Sequence, residues 1–162
     1  MEHLKFPTSL INHIDLARVL RELNELNDFF AQSKIRTGGT SMQMPKLSRL
    51  LDQVARENSV NLLDESQRAQ LMDELQRIYK SAPRMHLSFA SEPSFQALEP
   101  IIIWLRQNID RHSLVQTGLQ PAIAGGCVLR TANKVFDMSL RSGLKRQESY
   151  LAKLIKGAAD GR

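Results

Sequence analysis

The first half of the chain carries apolar residues at the three- and four-residue spacing of amphipathic helices. This pattern predicts three helices: one over residues 15–30, a second that starts near Pro45, and a third that starts at Asp64. Asp15 and Asp64 are favoured N-caps, and Pro45 is a favoured first-turn residue. A polar loop with glycines is predicted for residues 34–41. Helices with narrow apolar stripes bury them by packing together, so we expect a helical bundle.

After Pro83 the pattern changes to one in which strands and helices alternate. Residues 85–89 alternate apolar and polar side chains with the period of a strand. The apolar stripe of residues 95–109 predicts a helix, in which Pro100 implies a kink or a late start. Residues 113–118 form a weaker strand candidate.

A hairpin followed by a helix is predicted for the last third of the chain. A glycine pair leads a strand that ends at Arg130, and the two residues at 132–133 suit a hairpin turn. The second strand leads to Asp137 or Ser139, either of which can cap a helix. That helix is predicted over residues 139–155, with leucines on one side and basic residues on the other.

These elements together predict an α+β fold. We expect a bundle of about three helices in residues 1–82, and a small sheet with two flanking helices in residues 83–162. The chain lacks a run of about 20 apolar residues that could cross a membrane. Its one cysteine, Cys127, cannot form an internal disulfide, which is typical of a reducing compartment.

The net charge of +5 is concentrated at the C-terminal end. From Arg130 onward the chain has eight Lys or Arg and three Asp or Glu, whereas the preceding residues carry fourteen of each sign. A localised positive surface attracts acidic partners. A solvated helix face, a protein partner, and nucleic acid or lipid headgroups all fit such a surface. Aromatic residues do not interleave with the cations, as they do in proteins that bind single-stranded nucleic acid.

The sequence lacks the familiar motifs of catalysis and metal binding. It has no phosphate-binding glycine loop and no zinc-binding His-Glu-x-x-His, and its four histidines lack ligand spacing. Cys127 lies in an apolar run, so we expect a buried strand residue rather than a nucleophile. Trp104 lies among isoleucines and is expected in the core. We therefore predict that the chain is not an enzyme and has no catalytic residue, cofactor or metal site.

A family resemblance is carried by the glycine pair, the two short strands, and the polar and basic start of the helix that follows. The residues of this signature are Gly125, Gly126, Asp137, Ser139, Arg141 and Leu144. Their order and spacing resemble the C-terminal signature of the delta subunit of F-type ATP synthase, the family of the oligomycin-sensitivity conferring protein. That family has a helical N-terminal domain and a C-terminal part with a small sheet. Its N-terminal bundle has six helices, so the three predicted here would form a reduced bundle.

The resemblance implies a non-catalytic stator subunit, which links the catalytic head to the peripheral stalk and so couples proton flow to ATP synthesis. The implied partners are the b subunit of the stalk and the N-termini of the α subunits, with no nucleic acid. The implied location is the cytoplasmic face of the cell membrane, which the subunit reaches only through the complex. The residues expected to bind the stalk are Arg130, Lys134, Leu140, Arg141, Leu144, Lys145 and Arg146.

Two alternatives fit the same pattern. A stator-like protein of a flagellar or type III secretion ATPase could share the small sheet and helix, because such stators serve related rotary-type ATPases. A basic RNA-binding accessory protein is the second alternative. RNA binding would be recognised by a steep dependence on salt, because neutralising phosphates releases counterions.

Overall fold

The computed structural model describes residues 4–35 and 45–159. Three helices come first, then a sheet with a helix between its strands, and two helices follow. In chain order the elements are α1 (His13–Ile35), α2 (Arg49–Glu57), α3 (Glu65–Ser81), β1 (Arg84–Phe89), α4 (Phe95–Asn108), β2 (Leu114–Leu119), β3 (Gly126–Arg130), β4 (Val135–Ser139), α5 (Leu140–Arg146) and α6 (Glu148–Ala159). A short 3-10 turn spans Pro121–Ile123. The predicted α+β class is confirmed.

The described chain divides into two compact units. The helical unit comprises Met1–Pro83 and Glu99–Leu114, and the sheet unit comprises Arg84–Leu98 and Val115–Arg162. The polar loop predicted for residues 34–41 overlaps the end of α1, and its other positions lie outside the described residues.

The core of the helical unit is built from the apolar stripes of its first three helices. Here α1 packs on both α2 and α3. Each fully buried aliphatic side chain contributes about 1.5–3 kcal/mol to stability. Within these three helices, the residues with no exposed surface are Leu16, Val19, Leu23 and Leu26 of α1, Leu51 and Val54 of α2, and Leu71 and Leu75 of α3.

The start of α1 is set by a reciprocal cap rather than by Asp15 alone. The helix begins at His13, and Asn12 Oδ1 accepts the N–H groups of Ile14 and Asp15 at 2.8 and 2.9 Å. In return, Asp15 Oδ2 accepts the N–H groups of Ile11 and Asn12 at 3.1 Å. The predicted N-cap at Asp15 is therefore wrong by three residues, because Asp15 occupies the acidic position of a capping box.

The next two helices differ in how well their starts were predicted. The α2 helix begins later than the predicted start near Pro45, because Ser48 is its N-cap and its Oγ accepts the Leu51 N–H at 3.2 Å. By contrast, α3 is capped by Asp64 as predicted, with its carboxylate accepting two N–H groups of the first turn at 2.8 and 3.2 Å. A hydroxyl that follows a proline can therefore move a helix start by several residues.

The segment that precedes α1, residues 4–11, is held by a side chain of α4. The Arg106 guanidinium donates hydrogen bonds to the carbonyl oxygens of Phe6 and Pro7 at 3.1 and 2.9 Å. It also donates to the carbonyl oxygen of Leu10. One side chain therefore fixes three backbone carbonyls in a segment that has no regular secondary structure.

The sheet is mixed, with the strand order β2-β1-β3-β4. The β1–β3 and β3–β4 pairs are antiparallel. At one end of β2, the Leu114 N–H donates to the Pro83 carbonyl at 3.1 Å. At the other end, the Gln120 N–H donates to the Phe89 carbonyl at 2.7 Å. The sequence separation is the same at both ends, so β2 runs parallel to β1 across the α4 crossover.

The two strands predicted ahead of the hairpin are confirmed as β1 and β2. The α4 helix begins at Phe95, ahead of Pro100, so a late start at the proline is wrong. The Ser94 hydroxyl accepts the Ala97 N–H at 3.3 Å and fixes this earlier start.

Candidate partner-binding surface

The residues expected to bind a partner follow a point where the backbones of β3 and β4 lie very close together. Gly126, the first residue of β3, has a φ of +79°. This left-handed conformation favours glycine. A Cβ at this position would lie 2.4 Å from the carbonyl oxygen of Met138 on β4. Glycine is therefore required where β3 begins to pair with β4.

The predicted hairpin of β3 and β4 is confirmed, with a two-residue turn. The Thr131 N–H donates to the Lys134 carbonyl at 2.8 Å, and the Lys134 N–H donates to Thr131 Oγ1 at 3.1 Å. In the ladder, Arg130 is paired with Val135. Two predicted site residues, Arg130 and Lys134, therefore lie at the turn end of this hairpin.

Ser139 caps the helix that carries the other basic residues, and Asp137 bonds to the backbone of Ser139. Ser139 is the N-cap of α5, and its Oγ accepts the Ser142 N–H at 3.1 Å. Asp137 Oδ1 accepts the Ser139 N–H at 2.9 Å. Hydrogen bonds from the Ser139 side chain and backbone hold the pKa of Asp137 below its ordinary value, and Arg146 and Arg141 lower that pKa further. Ser139 is thus a structural cap, and the Asp137 carboxylate that holds its N–H stays ionised at neutral pH.

The single helix predicted over residues 139–155 is wrong, because the structure has two helices there. The α5 helix ends at Arg146 and α6 begins at Glu148. Between them Gln147 leaves the helical conformation, and its N–H donates to the carbonyls of Leu144 and Lys145. This tightened last turn satisfies carbonyls at the end of α5, and a new helix starts with an acidic residue in its first turn.

All seven predicted site residues are exposed, and three of them line one groove. The two leucines of α5, Leu140 and Leu144, expose 63 % and 58 % of their surface. The groove has a volume of about 490 Å³ and runs along α5 and α6. Its lining residues are Arg141, Leu144, Lys145, Glu148, Ala152 and Ile155.

The other predicted residues lie outside this groove. Arg130 and Lys134 are on the hairpin, and Arg146 Nε donates to the Ser142 carbonyl at 3.3 Å. Leu140 packs against Gly125, since a Cβ on that glycine would lie 2.7 Å from Leu140 Cδ1. The surface therefore comprises a basic hairpin turn and a groove with both apolar and basic lining.

The exposed apolar side chains of β4 were not among the residues predicted to bind a partner. Val135, Phe136 and Met138 expose 64 %, 45 % and 53 % of their surface. The signal was present in the sequence, because apolar residues occupy both faces of this strand. Their exposure follows from the position of β4 at the edge of the sheet, which the sequence pattern does not specify.

Two residues considered for other roles are not placed as expected. Trp104, predicted in the core, exposes 55 % of its surface, because it lies about 200° around α4 from the buried Ile102. Cys127, predicted to be buried, is only half-buried on β3, and this partial burial raises the pKa of its thiol. A thiol with a raised pKa stays protonated at neutral pH, which makes it a poor nucleophile.

Residues 4–35 and 45–159 show neither a metal cluster nor a membrane-spanning helix. In that part of the chain, no group of three or more His, Cys, Asp or Glu could hold a metal ion. Over the same residues, no helix is long and apolar enough to cross a membrane.

Gly143 differs from the glycines of the hairpin, and its replacement gives a testable prediction. It lies within α5, and a Cβ there would meet no atom within 4 Å. We expect Gly143→Ala to stabilise the sheet unit by about 0.5–1 kcal/mol, because alanine loses less backbone entropy in a helix. Urea unfolding monitored by circular dichroism measures the change, and a loss of stability would contradict it.

The chain matches one known protein family. It matches the family model of the ATP synthase delta (OSCP) subunit over residues 11–151, which includes the three N-terminal helices, the four strands and α5. No curated protein matches the chain significantly. Because the match covers most of the chain, the protein belongs to the ATP synthase delta (OSCP) family, whose members are stator subunits of F-type ATP synthase.

Proposed function

We propose that this protein links the catalytic head of F-type ATP synthase to the peripheral stalk, and so couples proton flow to ATP synthesis. The observation that carries the proposal is an exposed surface in which leucines and cations alternate. We call it the basic surface, and its residues are Arg130, Lys134, Leu140, Arg141, Leu144, Lys145 and Arg146.

The basic surface suits a static joint between proteins. Exposed leucines lose contact with water when a partner covers them, which provides affinity, and charges at the rim of an interface set the orientation of the partner. Leu144 lies in the groove between Arg141 and Lys145, so apolar and charged contacts are available side by side. An amphipathic helix with an acidic rim complements this arrangement.

The partner proposed for the basic surface is the C-terminal region of the b subunit of the stalk. The helical unit is proposed to contact the N-termini of the α subunits, as the family does, through a bundle that is reduced in its number of helices. The protein itself acts without catalytic residues or a cofactor. It is held at the cytoplasmic face of the cell membrane through the other subunits.

Reversal of three charges on α5 tests the proposal. We expect Arg141→Glu, Lys145→Glu and Arg146→Glu in one variant to weaken binding of the b subunit about tenfold or more, because three favourable contacts with acidic groups become repulsive. Binding is measured by titration with purified b subunit, and by recovery of that subunit with the tagged protein from solubilised membranes.

A variant with the same change in net charge is the control. Arg21, Arg49 and Lys80 are exposed residues of the first three helices, and their replacement by Glu leaves the basic surface intact. This control should bind the b subunit as the unchanged protein does. Equal binding by the control and the α5 variant would contradict the proposal, as would RNA binding with a steep salt dependence that only the α5 variant loses.

A further inference from the structure

The strand β4 has a free edge that is unusually apolar. It is the last strand in the order β2-β1-β3-β4, so among residues 4–35 and 45–159 only its β3 side is paired. Exposed edge strands are commonly protected by charged side chains, proline or a bulge. Three of the five β4 residues, Val135, Phe136 and Met138, are exposed and apolar. Its one charged residue, Asp137, is already hydrogen-bonded to the backbone of Ser139.

The hydrogen bonds at the two ends of the hairpin reveal which β4 backbone groups face this edge. At one end, Thr131 N–H donates to Lys134 at 2.8 Å, and at the other Leu140 N–H donates to the Gly125 carbonyl at 2.9 Å. Hydrogen-bonded pairs alternate with non-bonded pairs in an antiparallel ladder. The groups bonded to β3 therefore belong to the even-numbered residues of β4.

The odd-numbered residues of β4 consequently point their backbone groups away from β3. These are Val135, Asp137 and Ser139, and the outward N–H of Ser139 is taken by the Asp137 carboxylate. The N–H and carbonyl groups of Val135 and the N–H of Asp137 remain directed at the free edge. This is the arrangement that an added strand would use for backbone hydrogen bonds.

The charges around the edge indicate what kind of segment fits. Lys134 adjoins the start of β4, and Arg130 lies opposite Val135, the first residue of that strand. Arg141 follows the end of β4. The chain from Arg130 onward holds all of the net positive charge. An extended segment with acidic residues at its ends and apolar residues between them matches both the cations and the exposed side chains of β4.

We propose that β4 pairs with an extended acidic and apolar segment of a partner protein, which adds to the sheet as a fifth strand. The inference rests on the proposed function, and deepens it, because the segment belongs to the partner that the basic surface holds in the stator. The partner then makes two contacts with this chain: side-chain contacts along α5 and α6, and backbone hydrogen bonds along β4.

Hydrogen exchange on the full chain tests the pairing without a variant. The probe is ATP synthase that has been stripped of this subunit and then reconstituted with it. The amides of Val135 and Asp137 are expected to exchange at least tenfold more slowly in the complex than in the free chain. The amide of Ser142, which is already bonded to Ser139, is the internal reference. Unchanged exchange at Val135 and Asp137 in the reconstituted complex would overturn the proposal.

Proline at Val135 tests the same contact by removing one outward N–H while leaving the β3–β4 bonds in place. Val135→Pro should bind the stripped complex about tenfold more weakly than Val135→Ala, which loses the side chain but keeps the N–H. Circular dichroism establishes that both variants fold. Equal affinities would show that β4 does not pair.

The outcomes separate this inference from the function on which it rests. Weak binding by the α5 charge variant together with normal binding by Val135→Pro would contradict only the proposal that β4 pairs with a strand of the partner. Normal binding by the α5 variant would contradict the proposal that the basic surface binds the partner. Slow exchange at Val135 that appears in the free chain as its concentration rises would show pairing between two copies, and would overturn the choice of an acidic partner.

Discussion

Gly126→Ala is expected to destabilise the sheet unit by about 3 kcal/mol. Two costs combine at this position. An alanine must adopt a φ of +79°, and its Cβ must lie 2.4 Å from the Met138 carbonyl oxygen and 3.1 Å from Ser139 Cα. Both contacts are with backbone, so no side-chain rotation relieves them, and β4 has to move. Urea unfolding followed by circular dichroism measures the loss.

The neighbouring glycine provides the matched control for this prediction. A Cβ on Gly125 would approach Leu140 Cδ1 at 2.7 Å, which is the far end of a flexible and exposed side chain. Rotation of that side chain relieves the contact, so Gly125→Ala should cost less than about 1 kcal/mol. Similar losses for the two substitutions would contradict the assignment of the strain to Gly126.

The Gly126 substitution should also affect binding of the partner. Ser139, the N-cap of α5, lies opposite Gly126 in the ladder. Displacement of β4 therefore disturbs the cap and the helix that carries Arg141 and Lys145. Binding of the b subunit by Gly126→Ala should weaken in parallel with its loss of stability.

Local signals allowed much of the fold to be predicted from the sequence. Asp64 and the apolar stripe behind it predicted α3, and the two-residue alternation after Pro83 predicted β1. These elements depend on interactions within a few residues, such as a carboxylate that accepts N–H groups from its own helix. The glycine pair and the spacing to Asp137 and Ser139 gave the family, because they reflect the backbone geometry of one hairpin.

Features that depend on competition between local signals were predicted less well. The apolar and basic pattern of residues 139–155 fits one helix, but the structure has a break at Gln147. The Gln147 N–H bonds to the carbonyls of Leu144 and Lys145, an interaction that the pattern does not reveal. The start of α2 was predicted near Pro45, but the observed N-cap is Ser48. The hydrogen bond from the helix to the Ser48 hydroxyl therefore decides the start, although a proline is also favourable in a first turn. Trp104 was assigned to the core because its neighbours are apolar, although its helical phase directs it away from Ile102.

The candidate surface was predictable in part. Arg141, Leu144 and Lys145 are spaced at three and four residues, so a helix alone brings them together on one face. The free edge of β4 was not predictable, because strand order is set by pairings between distant residues. The register of β4 against β3 also decides which backbone amides face the free edge. If β4 were shifted by one residue, the amide of Phe136 would face that edge in place of the amide of Val135.

Arg106→Met is expected to destabilise the helical unit by about 3 kcal/mol, because three hydrogen bonds to backbone carbonyls are lost and only the Pro7 carbonyl keeps another donor, the Leu10 N–H. The Arg106 guanidinium serves Phe6, Pro7 and Leu10, and lies 5.7 Å from the centre of the Phe6 ring. Burial holds the pKa of Arg106 below its ordinary value, although Glu57 raises it, and an arginine remains charged despite such a shift. Methionine preserves the apolar volume of the side chain but offers no hydrogen to the carbonyls.

Two controls separate the hydrogen bonds of Arg106 from its charge. Arg111→Met removes an exposed cation nearby in sequence and should change stability by less than about 0.5 kcal/mol. Arg106→Lys keeps the charge without the guanidinium fork, so it should lose most of the stability that Arg106→Met loses. Hydrogen exchange at Leu10, whose N–H donates to Pro7 at 3.0 Å, reports directly on release of residues 4–11. If Arg106→Lys were as stable as the unchanged protein, charge rather than the fork would hold this segment in place.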